Sequence, residues 1–168
     1  MKDTLLAALR SELSTLNLKW NDAFIYGTSQ KTQWLPITVL FGERIALGVS
    51  TNAFWMRSTA TGILELDDGD SCVFFLPVLE ASFEQFQLRV LEGLRGHGMS
   101  DDFFKAFPCE RLVVAGLKSE SEYWVNMAMK WIECIPSSYV LKEELIRLSE
   151  SGVTQRIRHD SKKLARRM

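Results

Sequence analysis

Histidine supplies much of the acid–base and metal chemistry available near neutral pH, and this sequence holds two, His97 and His159. His97 sits between glycines in Gly96-His97-Gly98, and His159 lies in the basic run Arg156-Ile157-Arg158-His159. Neither stands in a pattern of Cys, Asp or Glu that recruits a metal ion. Asp160 adjoins His159, but neighbours on a helix do not face each other. The three cysteines, Cys72, Cys109 and Cys134, are odd in number and widely spaced, with no CxxC pair. They read as inert thiols of a reducing compartment. Nucleophile and phosphate-loop motifs are missing as well. Gly48-Val49-Ser50-Thr51-Asn52 lacks the second glycine of G-x-S-x-G. Gly93-Leu94-Arg95-Gly96-His97-Gly98 follows a helical pattern instead of opening one. No catalytic residue, metal or cofactor is expected.

What remains is chemistry of binding. Glu65, Asp67, Asp68 and Asp70 crowd one turn, without the D-x-[DN]-x-[DN]-G spacing of a calcium loop. They fit either a hairpin tip or an acidic knob that meets a basic partner. Asp101 and Asp102 add two more acids at the start of a short helix. Phe54-Trp55-Met56-Arg57 joins aromatic, Met and Arg, the composition that interface hot spots favour, and equally a buried strand. Trp55 is the candidate anchor. The tail carries Arg156, Arg158, Lys162, Lys163, Arg166 and Arg167 against one Asp160. These cations could meet phosphate, or favour the negative end of a helix dipole. The segment has no aromatic to stack on a base, so nucleic-acid binding through Arg156, Arg158, Lys162 and Lys163 is the alternative.

The elements that must position these groups follow from periodicity. Leu5, Leu6, Leu9, Leu13 and Leu16 predict an amphipathic helix over 2–16. Leu35–Phe41 and 44–49 predict strands joined at Gly42-Glu43 by a II′ turn. A second hairpin is predicted from 62–66 and 71–76 across Asp67-Asp68-Gly69-Asp70, with Pro77 ending it. Ala23–Tyr26 and Phe54-Trp55-Met56 are further strand candidates. Helical spacing then takes over. Ser82-x-x-Gln85 and Ser119-x-x-Glu122 resemble capping boxes. Tyr123, Trp124, Met127, Ala128, Trp131, Ile132 and Ile135 form one apolar stripe. Helices over 140–150 and after Thr154 complete the chain, and 109–117 fits helix or strand. The fold class is α+β: an N-terminal helix, an antiparallel sheet of four or five strands and a C-terminal helical array. It reads as one domain with a soft boundary near 108.

With 168 residues and 46% apolar content, the chain can bury a core without disulfides or metal. No apolar run approaches the roughly 20 residues of a membrane span, and the N-terminal stretch is not a signal peptide, so the cytosol is expected. Net charge is −1 but uneven. Residues 60–110 hold three basic and ten acidic groups, net −7, while 1–59 and 111–168 are net +2 and +4. An acidic middle steers basic partners.

Small size, the absence of an export signal, an aromatic-rich α+β body and the stretch Glu65-Leu66-Asp67-Asp68-Gly69-Asp70 are together similar to small bacterial immunity proteins. The helical ending, with Tyr123-Trp124, Trp131 and Gln155-Arg156-Ile157-Arg158-His159, has the same look. Such proteins neutralise a cognate secreted toxin, often a nuclease. The resemblance implies a non-catalytic cytosolic binding module whose acidic face occludes a basic toxin cleft. The basic tail departs from a uniformly acidic inhibitor. The alternatives are a secretion chaperone that homodimerises, and a small enzyme or nucleic-acid binder using the basic C-terminal helix.

Overall fold

Leucine spacing builds the first element, helix α1 (Lys2–Thr15), with Leu9 and Leu13 buried along its inner face. The computed structural model describes residues 2–66 and 70–168. Five strands follow in a meander: β1 (Asn21–Phe24), β2 (Lys31–Leu40), β3 (Ile45–Ser50), β4 (Trp55–Thr59) and β5 (Gly62–Glu65). Each strand pairs antiparallel with the next, and the sheet curls into a half-barrel. A meander with an odd number of strands runs its first and last strands in the same direction. A bridge between those ends, Ile25 with Ile63, is indeed parallel, and Tyr26 N donates to Ile63 O at 2.9 Å. Gly62 permits this closure. A Cβ there would lie 2.6 Å from the carbonyl oxygen of Phe24.

The predicted Gly42-Glu43 link is where β2 turns into β3, pairing Leu40 with Ile45. Its geometry differs from the expected II′ form. Phe41, Gly42 and Glu43 all have positive φ, where a II′ turn needs it only at its first central residue, and Arg44 N donates to Phe41 O. Pro36 sits inside β2, where the register shifts between Pro36 and Thr38. A bulge tolerates a residue that cannot donate to the ladder.

Cross-strand pairs share a face, so the register sorts the core. Leu35, Val49 and Trp55 are mutually opposed, and all three are buried. On the other face Trp34, Met56 and Ile63 pack with Ala23 and Ala46 inside the curl.

The second predicted hairpin does not form. Residues Asp70–Glu80 make a 3-10 helical segment, not a strand, and Asp67, Asp68 and Gly69 lie outside the described residues. β5 is already paired with β4 and bridged to the end of β1. The burial pattern gives the physical reason for the helix. Cys72, Phe75 and Leu76, and Val78 and Leu79 are buried while Val73 and Phe74 are exposed. That recurrence every three residues is the 3-10 repeat, which an unbroken apolar run conceals from a search for alternation.

Helices complete the chain: α2 (Phe83–Gly96), α3 (Asp102–Lys105), α4 (Cys109–Lys118), α5 (Glu122–Ile132), α6 (Tyr139–Ser151) and α7 (Gln155–Ala165). The open question at 109–117 is answered as helix. Side-chain caps start the last two, with Ser138 Oγ accepting from Leu141 N and Thr154 Oγ1 from Ile157 N. Ser119 does not open α5. Its Oγ donates to Gly116 O at the end of α4, and Ser121 takes the N-cap position without a side-chain bond. The buried stripe of α5 is accordingly Val125, Ala128, Met129, Trp131 and Ile132, while Tyr123 is exposed.

The chain divides into two compact units. One contains residues 1–71 and 84–107, the other 72–83 and 108–168. In the first, α1 is tied to the loop before α3 by Glu12, whose carboxylate accepts from Ser100 N and Oγ at 2.6 and 2.7 Å. In the second, α5 adjoins α4 and α7, and α6 adjoins α7 and α4, giving a ring of four helices. Trp131 anchors it, with Nε1 donating to Ala81 O at 2.9 Å and its ring edge-to-face with Phe83. No helix among the described residues is long and apolar enough to cross a membrane.

Candidate functional site

Of the residues predicted for the acidic surface, the structure describes Trp55, Glu65, Asp101 and Asp102. Trp55 is only 2% exposed. Its Nε1 donates to Phe103 O at 3.0 Å, and its ring meets Phe107 edge-to-face at 5.3 Å. Trp55 therefore belongs to the core, and the hot-spot reading of it is corrected. Arg57, two residues on, keeps its Nε buried without a hydrogen-bond acceptor, and burial holds its guanidinium below the usual arginine range. Glu65 ends β5 and is half-buried. Asp101 and Asp102 lie at the start of α3, where each is matched locally. Arg95 grips Asp101 with two nitrogens, at 2.7 and 3.2 Å, and holds its carboxyl below the usual carboxylate range. Lys105 Nζ lies 2.6 Å from Asp102. Exposed pairs of this kind add little stability, but they remove much of the net field a basic partner would feel. Asp67 and Asp68, and the side chain of Asp70, lie outside the described residues.

The two histidines lie apart in the chain, and His97 holds a structural place. His97 lies 3.1 Å from Pro36 O through Nε2. A carbonyl only accepts, so Nε2 carries the proton and donates, satisfying an acceptor at the β2 bulge. His159 is exposed on α7. Among the described residues no three His, Cys, Asp or Glu side chains group as metal ligands.

Burial raises the Cys109 thiol from its ordinary 9.0 to about 12. At pH 8 roughly one Cys109 in ten thousand is then a thiolate, the reactive form. Cys72 is buried, Cys109 half-buried and Cys134 exposed, so the protection of Cys109 rests on its thiolate being scarce. A maleimide at pH 8 is expected to label Cys134 in the folded protein, and Cys72 and Cys109 only after denaturation, as read by mass spectrometry. Rapid labelling of native Cys109 would refute this placement. Unfolding returns Cys109 to its ordinary value, so its contribution to stability is full below pH 9.0 and fades as pH rises toward 12.

The basic tail forms an amphipathic helix with Ile157, Ser161 and Ala165 buried. Part of its charge is already engaged. Arg156 lies 3.7 Å from Asp160, Arg158 Nη1 donates to Gly152 O at 2.8 Å, and Arg167 lies 3.0 Å from Glu133. Of the four residues proposed for nucleic acid, this leaves Lys162 and Lys163, a small patch beside the six to ten phosphate contacts of a strong binder. Lys163 instead joins a cleft of about 480 Å³ between α5 and α7. Met127, Met129 and Leu164 line it with Lys130, Arg156, Lys163 and Arg167.

A second surface lies on the outer side of α6. Tyr139 and Ile146 are 74% and 43% exposed. With Glu143 and Glu150, both exposed, they recur at four- and three-residue steps along one helix face. Val140 adjoins this face and Val153 follows its C-cap, both exposed. The Tyr139 hydroxyl donates to Glu143, which pushes the tyrosine above its ordinary range. The exposed segment around Tyr139 is a signal that sequence reading missed, because an apolar residue at helical spacing is ordinarily assigned to the core. Comparison with family models, with curated proteins and with solved structures found no match.

Proposed function

We propose that this chain is a non-catalytic protein-binding module that captures a basic protein on the outer face of α6. The observation that carries the reading is the alternation of exposed apolar and acidic side chains there: Tyr139, Glu143, Ile146, Glu150. An isolated exposed Tyr or Ile is ordinary. A row of them interleaved with unneutralised carboxylates supplies both terms of association, steering by charge and lifetime by desolvated apolar contact. Glu144, one residue off the row, is already bound by Lys118 and Arg147, whereas among the described residues Glu143 and Glu150 have no cationic partner within salt-bridge distance, Glu143 accepting only from the Tyr139 hydroxyl. The basic partner we propose is a toxin, and the chain its immunity protein, with the binding surface moved from 60–110 to α6. A nuclease fits this chemistry, because a cleft that holds phosphate is cationic.

The test is affinity purification of the tagged chain from its own host at low salt, beside the double variant Tyr139→Ala, Ile146→Ala. Both side chains are solvent-facing, so the variant is expected to match wild type by circular dichroism. Wild type should return one basic protein in stoichiometric amount, and the variant about tenfold less. A wild-type bait that returns alone, or a variant that recovers the partner equally, overturns the proposal.

A further inference from the structure

The cleft between α5 and α7 and the outer row of α6 are complementary to one another. We infer that the cleft is a docking site for the α6 row of a second copy of this chain. Two acids line the cleft, Glu133 and Asp160, and both are already paired with Arg167 and Arg156. Lys130 reaches only Met127 Sδ, at 3.9 Å, and Lys163 has no carboxylate partner among the described residues. The cleft thus presents net positive charge around an apolar floor, and it requires an acidic, apolar-faced occupant. The α6 row has that chemistry.

Spacing matches as well. Glu143 and Glu150 are seven residues apart on α6, as Arg156 and Lys163 are on α7. Seven residues of helix span about 10 Å. Two helices laid side by side can therefore set one acid of the row beside Lys163 and the other beside Arg156, whose exposed contact with Asp160 is long at 3.7 Å and would have to exchange for the new one, with Ile146 between the two acids. Methionine adapts to such a knob better than a branched side chain.

The contact is heterologous, because the cleft lies on the α5–α7 side of the helix ring and the row on α6. A contact between two different surfaces grows head to tail unless it closes into a ring. Its regulatory meaning rests on the reading proposed above: self-association covers the row that captures the basic partner, so the partner must compete for it.

The test uses the purified chain alone, and so it fails or succeeds independently of partner capture. Sedimentation velocity should show the mean mass rising beyond a dimer between micromolar and several hundred micromolar, and falling back with added salt. The cleft variant Lys130→Ala, Lys163→Ala and the row variant Glu143→Gln, Ile146→Ala should each remain monomeric. Mixed together, they should form a one-to-one complex and stop there, since one supplies an intact row and the other an intact cleft. Wild type that stays monomeric at the highest concentration overturns the inference, as does a mixture that stays monomeric. Capture from the host of an acidic protein that depends on Lys130 and Lys163, with wild type monomeric, assigns the cleft to that protein and also overturns it.

Discussion

Trp55→Ala is expected to lower the unfolding free energy by about 3–5 kcal/mol, the usual cost of truncating a buried aromatic to alanine. Three losses combine. The indole is 2% exposed, so nearly all its surface leaves water on folding. Its edge-to-face contact with Phe107 goes, and the carbonyl of Phe103 loses its donor. A buried carbonyl left unpaired has its own penalty of roughly 1–3 kcal/mol. Against a typical total stability of roughly 5–15 kcal/mol, this is a large fraction. The measurement is urea denaturation followed by circular dichroism, which reads the whole chain. A loss under about 1 kcal/mol would restore Trp55 to the surface role its neighbours suggested. The outcome separates the two readings because a surface hot spot, truncated, weakens binding and leaves the fold nearly intact.

Gly93→Ala is expected to destabilise by roughly 2–3 kcal/mol, although alanine normally improves a helix by about 1 kcal/mol over glycine. Gly93 lies in α2 where the helix crosses β2. A Cβ there would stand 2.0 Å from Ile37 O, 2.8 Å from Ile37 C and 3.0 Å from Ile37 Cγ2. Two of these atoms are backbone of β2 at its bulge, so neither can rotate aside as the end of a side chain would. Relief requires moving the helix off the sheet. Gly96 in the same helix is the internal control, with nothing within 4 Å of its would-be Cβ. Gly96→Ala should leave stability unchanged or raise it by up to about 1 kcal/mol. Matching thermal midpoints for the two variants would contradict the close approach.

The two glycines look alike in sequence, three residues apart in Gly93-Leu94-Arg95-Gly96, and differ only in what stands opposite. That contrast runs through the whole chain. Features set within one helical turn or one hairpin are legible from residue types. Thr154 and Ser138 cap their helices because the acceptor and donor are three residues apart. Gly42 marks the β2–β3 turn because a positive φ is needed there. The leucine repeat of α1 locates the face that Leu9 and Leu13 bury. The same local logic misassigned Ser119, where a serine ending one helix was taken to begin the next, since both ends carry polar residues.

Sequence alone therefore determined the α+β class, the leading helix, the existence and rough count of strands, and the late helices. Each depends on periodicity or on bonds between near neighbours. Tertiary structure decided what the apolar run after Asp70 becomes, because a strand needs a free edge beside it and a helix does not. It placed Trp55 inside, through a partner 48 residues away in Phe103. It also decided which apolar and charged residues were left outside. Tyr139 and Ile146 obey the same helical spacing as the buried Leu141, Leu145 and Leu148, and only the packing of α4 and α7 against α6 selects the covered side. Burial is a property of contacts between distant segments, and the surfaces left over when those contacts are made are the ones available for binding.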